Sequence, residues 1–255
     1  MYLLHGRKSP PDPVDFVSGK FYACDDNDYQ GKGMVATLPL LANAMLFLLS
    51  LLMGLRLLQQ YRRRRRSHTL WYAVGLLLLA AASLPEVWLK AAGSLPTLLW
   101  WLYWVAASGT VGFLAVGTAH LLGRTPGRIA LGLAAILTLW LVVATVVAAG
   151  PAPAEFTEAT LSKAPNAIVK VPFLIQNILG ALVIMGGALW SYARTRALCN
   201  LWIALGTLVF SSGGAAAGLL QFAGAFYFTQ MVGILLLYLG VTQSTAPRQV
   251  TAALT

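Results

Sequence analysis

Four side chains stand out for the chemistry they could perform. Asn43, Glu86, Gln176 and Asn177 carry amide or carboxyl groups within segments that are otherwise almost wholly apolar. An amide offers two donors and an acceptor, and a carboxylate offers acceptors. Groups of this kind are expensive inside lipid and by default mark a path or a binding site for a polar solute. Glu86 is the only acid within an apolar segment, so it could take up a proton or a cation, and Pro85 beside it could open the helix backbone. A purely structural role is also available, because Lys90 follows four residues later in the orientation that favours a helical ion pair. The amides have a similar alternative, bonding across helices for about 0.6 kcal/mol on average.

Other groups carry less chemistry. Trp100, Trp101, Tyr103 and Trp104 cluster near one end of an apolar segment, where interfacial aromatic belts sit. The alternative is a pocket wall that stacks on a sugar or encloses a cation. Positions this close in sequence point around the whole helix, so at most two can face one pocket. Gln221 and Gln230 are expected at an interface. His5, His68 and His120 are dispersed, and His120 reads as interfacial rather than as a ligand. The chain has no HExxH, GxSxG, P-loop or dinucleotide fingerprint, and no Cys/His spacing for a metal. The expectation is a protein that is not an enzyme and that uses no cofactor or metal.

The elements that must position these groups are long and apolar. Of the 255 residues 58% are hydrophobic and 10% charged, against about 45–50% and 25% for ordinary soluble domains. A bilayer core needs about 20 apolar residues per helix. Seven segments meet that standard: 35–58, 70–89, 95–122, 129–149, 171–192, 198–222 and 225–243. The expected fold is therefore all-α, a polytopic membrane protein with seven transmembrane helices over residues 35–243. A polar tail, 1–34, precedes them and a short tail, 244–255, follows. Met34 offers an alternative start directly before the first span. The segment 150–170, with Pro151, Pro153, Glu155, Glu158 and Pro165, reads as an exposed loop that includes a short amphipathic turn.

Charge sets the orientation. The net charge of +10 sits in the links rather than on a nucleic-acid-binding face. Arg56, Arg62 to Arg66, Arg124, Arg128, Arg194, Arg196 and Arg248 gather on one side with no acid among them. By the positive-inside rule that side is cytoplasmic, which puts the N-terminus outside the cell membrane and the C-terminus inside. The arginine run could also attract anionic lipid. Cys24 and Cys199 then lie on opposite sides and cannot pair.

The two ends of the apolar region resemble each other. Met53, Gly54, Leu57, Tyr61, Arg63, Arg65, Leu70, Trp71, Ala73 and Gly75 align with Met185, Gly186, Leu189, Tyr192, Arg194, Arg196, Leu201, Trp202, Ala204 and Gly206, with a one-residue gap. Pro39 and Asn43 resemble Pro172 with Gln176 and Asn177, and Gly117 resembles Gly240. The reading is an internal 3+1+3 repeat in which the fourth span inverts the chain between two parallel three-helix units. That plan resembles the SWEET-type sugar transporters and is similar to the plan of microbial rhodopsins and other seven-helix receptors. The likeness is one of architecture. The Pro-Gln dipeptide of PQ-loop proteins is absent at Pro39 and Pro172, and the last span lacks a lysine to hold retinal.

Duplicated membrane proteins often place their site between the repeats. The leading expectation is a small-solute transporter or channel, with Asn43, Glu86, Gln176 and Asn177 as ligand-binding residues. The alternatives are a receptor-like sensory module and an accessory or scaffold subunit of a membrane complex. Expected partners are the lipid bilayer, a small polar solute, and a membrane protein or second copy packed through the small-residue pair Gly214 and Gly218. Tight packing within the bundle is the other use of that pair.

Overall fold

The computed structural model describes residues 32–148, 150, 166–220 and 223–245, with side chains described except at 32–39, 90, 214–220, 223–227, 244 and 245. The tails at 1–31 and 246–255, with Cys24 and Arg248, lie outside the described residues. So do Gln221, the loop at 151–165, the Lys90 side chain and the surroundings of Gly214 and Gly218.

Among the described residues there are seven helices: α1 Lys32–Arg64, α2 Ser67–Ala92, α3 Thr97–Leu122, α4 Arg124–Ala148, α5 Ala167–Thr195, α6 Leu198–Leu220 and α7 Ala223–Thr245. Five of them contain stretches long and apolar enough to cross a membrane: Leu40–Arg64, Ser67–Leu89, Thr97–Leu122, Arg124–Ala148 and Ala167–Thr195. Leu198–Gly213 and Phe228–Gln243 are shorter apolar stretches. Helix α1 begins before its expected start and keeps Arg62, Arg63 and Arg64 in its last turn. There the cationic side chains also complement the C-terminal end of the helix dipole.

Several helix ends have a local cause. Gly93, at φ 71°, closes α2, and Pro96 precedes α3. Gly123 alone separates α3 from α4. Asn166 caps α5: its side-chain oxygen accepts from the Val169 N–H at 3.2 Å and its amide donates to the Ala148 carbonyl at 2.6 Å, tying the start of α5 to the end of α4. The α1–α2 and α5–α6 links share one geometry. Arg65 and Arg196 adopt φ of 51° and 52°, and their N–H groups donate to the carbonyls of Tyr61 and Tyr192, both at 2.7 Å.

Helices α1, α2, α3, α5, α6 and α7 form a closed ring in that order, and α4 packs outside it against α3 and α5. Glycines set two of the interfaces. Gly75 on α2 lies under Leu114 and Gly117 on α3 under Tyr72; in the same way Gly206 on α6 lies against Leu237 and Gly240 on α7 against Ile203. One sequence alignment detail is corrected. The one-residue gap between Leu57 and Tyr61 has nowhere to go, because α1 and α5 run unbroken there, and such a slip would turn the aligned faces by about 100°. Without the gap, Met53 and Leu57 align with Ile184 and Ala188, all four buried; with it, Leu57 would match Leu189, which is exposed.

The ring is filled by one apolar cluster that includes Leu57, Tyr72, Leu114, Ile184, Ile203 and Val241. Its outer surface is apolar as well: Leu41, Leu52, Ile136, Val147, Leu182 and Leu208 are all exposed. Exposed residues of this kind on long apolar helices fit a multi-pass membrane protein, in which lipid rather than water covers them.

Candidate functional site

Polar side chains accumulate where α3, α4 and α5 meet. The Asn166 cap fixes the register of α5 against α4. From there Phe173 is held edge-on to Trp104 of α3, with ring centroids 5.3 Å apart. One turn further along α5, Gln176 lies across the bare backbone of Gly112, at the position a Cβ would occupy. Its amide nitrogen donates to the Thr138 hydroxyl of α4 at 3.0 Å. Gly180 continues the close approach, since a Cβ there would meet the Val111 carbonyl oxygen at 3.1 Å.

Trp104, Ser108 and Gly112 recur every four residues and so share one face of α3. That face looks onto the Phe173–Gln176 turn of α5. Thr138, Leu141 and Thr145 make the corresponding stripe of α4, and Leu141 packs in the same cluster as Trp100, Trp104 and Val169.

Four buried polar atoms in this junction make no hydrogen bond: Trp104 Nε1, Ser108 Oγ, Thr145 Oγ1 and Gln176 Oε1. Each of these residues is at most 2% exposed. Elsewhere in the bundle hydroxyls are satisfied by the carbonyl four residues back, as Ser50 is by Leu46 at 2.7 Å, Ser83 by Leu79 at 3.0 Å and Thr110 by Ala106 at 2.9 Å. Ser108 departs from that habit. An unsatisfied buried polar atom costs about 1–3 kcal/mol, so the junction concentrates a cost that hydroxyls such as those of Ser50, Ser83 and Thr110 avoid.

The other sequence-expected residues spread around the same aromatic group. Asn43 is buried and its amide approaches the Ser83 carbonyl of α2 at 3.4 Å. Glu86, one turn beyond Ser83, is also buried and lies within electrostatic reach of Tyr103 on α3. Tyr103 meets Trp104 edge-on at 5.3 Å. Asn177 is half-buried and donates to the carbonyl of Phe173 on its own helix at 2.8 Å. Asn43 and Gln176 therefore bond across helices in separate interfaces, whereas Asn177 does not reach another helix. The Glu86–Lys90 pairing involves a side chain outside the described residues.

The belt reading is corrected for two of its four aromatics. Trp100 and Trp104 are only 2% exposed, within the bundle. Their rings meet at 5.2 Å and 82°, edge to face. Only Trp101 and Tyr103 remain half-buried, and the Trp101 indole donates to the Gly150 carbonyl at 3.0 Å. Ser108, Thr138 and Thr145 were missed as site residues. Their signal was the four-residue spacing of Trp104, Ser108 and Gly112 and the seven-residue spacing of Thr138 and Thr145.

The two ends of the bundle differ in character. Arg62 to Arg66, Arg124, Arg128, Arg194 and Arg196 are exposed at one end. The buried Asn43, Glu86, Gln176 and Gln230 lie in the opposite half: about 29 Å of helix separates Glu86 from the start of α2, and Gln176 from the end of α5. Asn200, the buried amide at the arginine end, donates to the Thr195 hydroxyl of the adjoining link at 3.2 Å. His120 lies there too, its Nδ1 2.9 Å from the Val116 carbonyl oxygen. Among the described residues no group of three or more His, Cys, Asp or Glu is placed to hold a metal ion.

The geometry defines an all-helical apolar bundle of multi-pass type with a polar junction buried in one half. No protein-family model, curated protein or solved structure matches the chain.

Proposed function

We propose that this chain is a seven-span integral protein of the cell membrane, built from two parallel three-helix units, that carries a small polar solute without enzymatic chemistry. The observation that carries the reading is the likeness of the α2–α3 and α6–α7 interfaces. Gly206 and Ile203 keep the three-residue spacing of Gly75 and Tyr72, and Leu237 and Gly240 keep that of Leu114 and Gly117. The left-handed Arg65 and Arg196 add the same likeness in the links. Under this pairing the α3–α5 and α7–α1 contacts are the equivalent joints between units, and α4 is the inverting linker.

Solute sites in duplicated membrane proteins lie between the units. Here the buried amides Asn43 and Gln176, the half-buried Asn177 and the buried Glu86 lie in the half remote from the arginines. The apolar cluster closes the ring towards the arginine end. A solute would therefore enter from the side opposite the arginines, which we place outside the cytoplasm, and crossing would need a rearrangement of the cluster. That favours a carrier over an open channel.

The test is flux across vesicles holding the purified full-length chain, measured over a panel of small polar solutes. Asn43→Ala and Asn177→Ala are expected to abolish movement of the carried solute while the protein stays folded. Failure of every solute to move faster than in empty vesicles overturns the proposal. The closed apolar centre favours one other reading, an accessory subunit of a membrane complex; a stable monomer or homodimer in mild detergent counts against it. A receptor-like module would bind the solute without moving it.

A further inference from the structure

The chemistry of the α3–α4–α5 junction narrows what can occupy it. Its free groups are of both kinds: the Trp104 indole N–H can only donate, the Gln176 Oε1 can only accept, and the hydroxyls of Ser108 and Thr145 can do either. With Nε2 donating to the Thr138 hydroxyl, the Gln176 oxygen is the atom left to accept. The orientation of Trp104 is set by edge-on contacts with Trp100, Tyr103 and Phe173.

Charge and size follow from the same residues. None of the four side chains with free groups is ionisable, and the buried acid of this half, Glu86, lies on the α1–α2 side; a buried ion without a counter-charge beside it is strongly disfavoured. The occupant is therefore neutral. Close helix approach at Gly112 and Gly180 keeps it small. Trp104 and Ser108 are one helical turn apart, and Ser108 and Gly112, beneath Gln176, are another, so the free groups span about 12 Å along the helix. The indole and phenyl rings give its carbon skeleton an apolar wall.

We infer that this junction binds one small, uncharged hydroxylic molecule, which accepts hydrogen bonds from Trp104 and Ser108 and donates one to the Gln176 amide oxygen. The inference rests on the proposed solute-handling function and deepens it by naming the class of solute and the residues that hold it beside Gln176 at the α3–α5 contact, apart from Asn43 and Glu86 on the α1–α2 side.

The test uses three probes of similar carbon skeleton: glycerol, its cationic relative serinol and the anion glycerol 3-phosphate. The full-length chain, ¹⁵N-labelled at tryptophan and embedded in nanodiscs, shows one indole N–H signal for each of eight tryptophans, and Trp104→Phe identifies that of Trp104. Glycerol is expected to shift this signal saturably, and the two charged probes are not. Ser108→Ala and Gln176→Leu should each weaken binding about tenfold, the loss of one good hydrogen bond. The remaining seven indole signals report that these variants are folded. A Trp104 signal that moves equally with the charged probes, or equally in both variants, overturns the inference. So does a signal that responds to none of the probes but exchanges with water, which would make the junction a hydration site only. A saturable shift without vesicle flux of any solute leaves this site standing and removes transport, whereas flux with an unmoved Trp104 signal does the reverse.

Discussion

Adding one methyl group to a glycine tests the packing scheme, because the same substitution should have opposite effects at different positions. At Gly186 a Cβ would meet nothing within 4 Å. Gly186→Ala should then express only the helix preference of alanine over glycine, a gain of about 1 kcal/mol or less. At Gly206 the new atom would lie 2.6 Å from the Leu237 nitrogen and 2.7 Å from the Gly233 oxygen. Restoring ordinary separations of about 3.5 Å requires α7 to move away by about 0.9 Å. The obstacle is backbone, which cannot rotate aside, so the penalty falls at the upper end of the 1–3 kcal/mol typical of overpacking. After the propensity gain, Gly206→Ala should be destabilised by about 2 kcal/mol, a factor of about 30 in the folding equilibrium. Gly75→Ala lies between them, because its Cβ would meet Leu114 side-chain carbons at 2.8 Å that can shift. Reversible unfolding in mixed micelles, followed by circular dichroism, measures the order. Gly206→Ala and Gly186→Ala agreeing within about 0.5 kcal/mol, the ordinary scatter of harmless substitutions, would refute the α6–α7 geometry.

Two other perturbations probe the links and the orientation. Arg65→Gly and Arg196→Gly each place the residue suited to a left-handed backbone where arginine now stands; each should stabilise the fold by up to about 1 kcal/mol in the same unfolding assay, and a loss at either position would contradict the shared link geometry. In a chain lacking Cys24 and Cys199, Ser94→Cys should react with a membrane-impermeant maleimide on intact cells and Ser67→Cys only after permeabilisation, whereas the opposite pattern inverts the proposed orientation.

Much of the helical framework was legible in the sequence because its signals are local. Uninterrupted apolar runs mark the helices, whereas the caps at Gly93, Gly123 and Asn166 emerge only in the structure, and α5 starts at Ala167 inside the segment read as a loop. The arginine links were equally plain, and the Tyr61–Arg65 and Tyr192–Arg196 likeness survives as a shared backbone turn. The faces of the helices were harder. A helix that is apolar all round carries little periodicity to show which side is buried. Helix α3 is the extreme case: Trp100 and Trp104 turn into the bundle while Trp101, beside Trp100, is half-buried. Composition near a helix end suggested a belt, and packing against Phe173 decided otherwise. The spurious gap between Leu57 and Tyr61 had the same origin, since identities among apolar residues can be matched without regard to the face they occupy.

The polar junction was harder still to read, because its meaning lies in what its groups fail to do. Serine and threonine are ordinary inside apolar helices when they bond to their own backbone, as Ser50, Ser83 and Thr110 do. In sequence, only the spacing of Ser108 with Trp104 and Gly112, and of Thr145 with Thr138, sets them apart from these. Only the three-helix contact, with Gln176 drawn over Gly112 and held by Thr138, makes their free hydroxyls unusual. Of the four residues first expected to bind a solute, Gln176 alone belongs to this junction. Asn43 and Glu86 belong to the α1–α2 side of the same half, and Glu86 reaches the aromatic group through Tyr103. The halves of the bundle therefore differ in what they bury: the apolar cluster fills the ring towards the arginine end, and Asn43, Glu86 and Gln176 are buried in the opposite half. The similar glycine contacts of α2–α3 and α6–α7 make those two interfaces tightly packed, so under the proposed carrier function any exchange between the two faces would fall at the α3–α5 and α7–α1 contacts rather than within them.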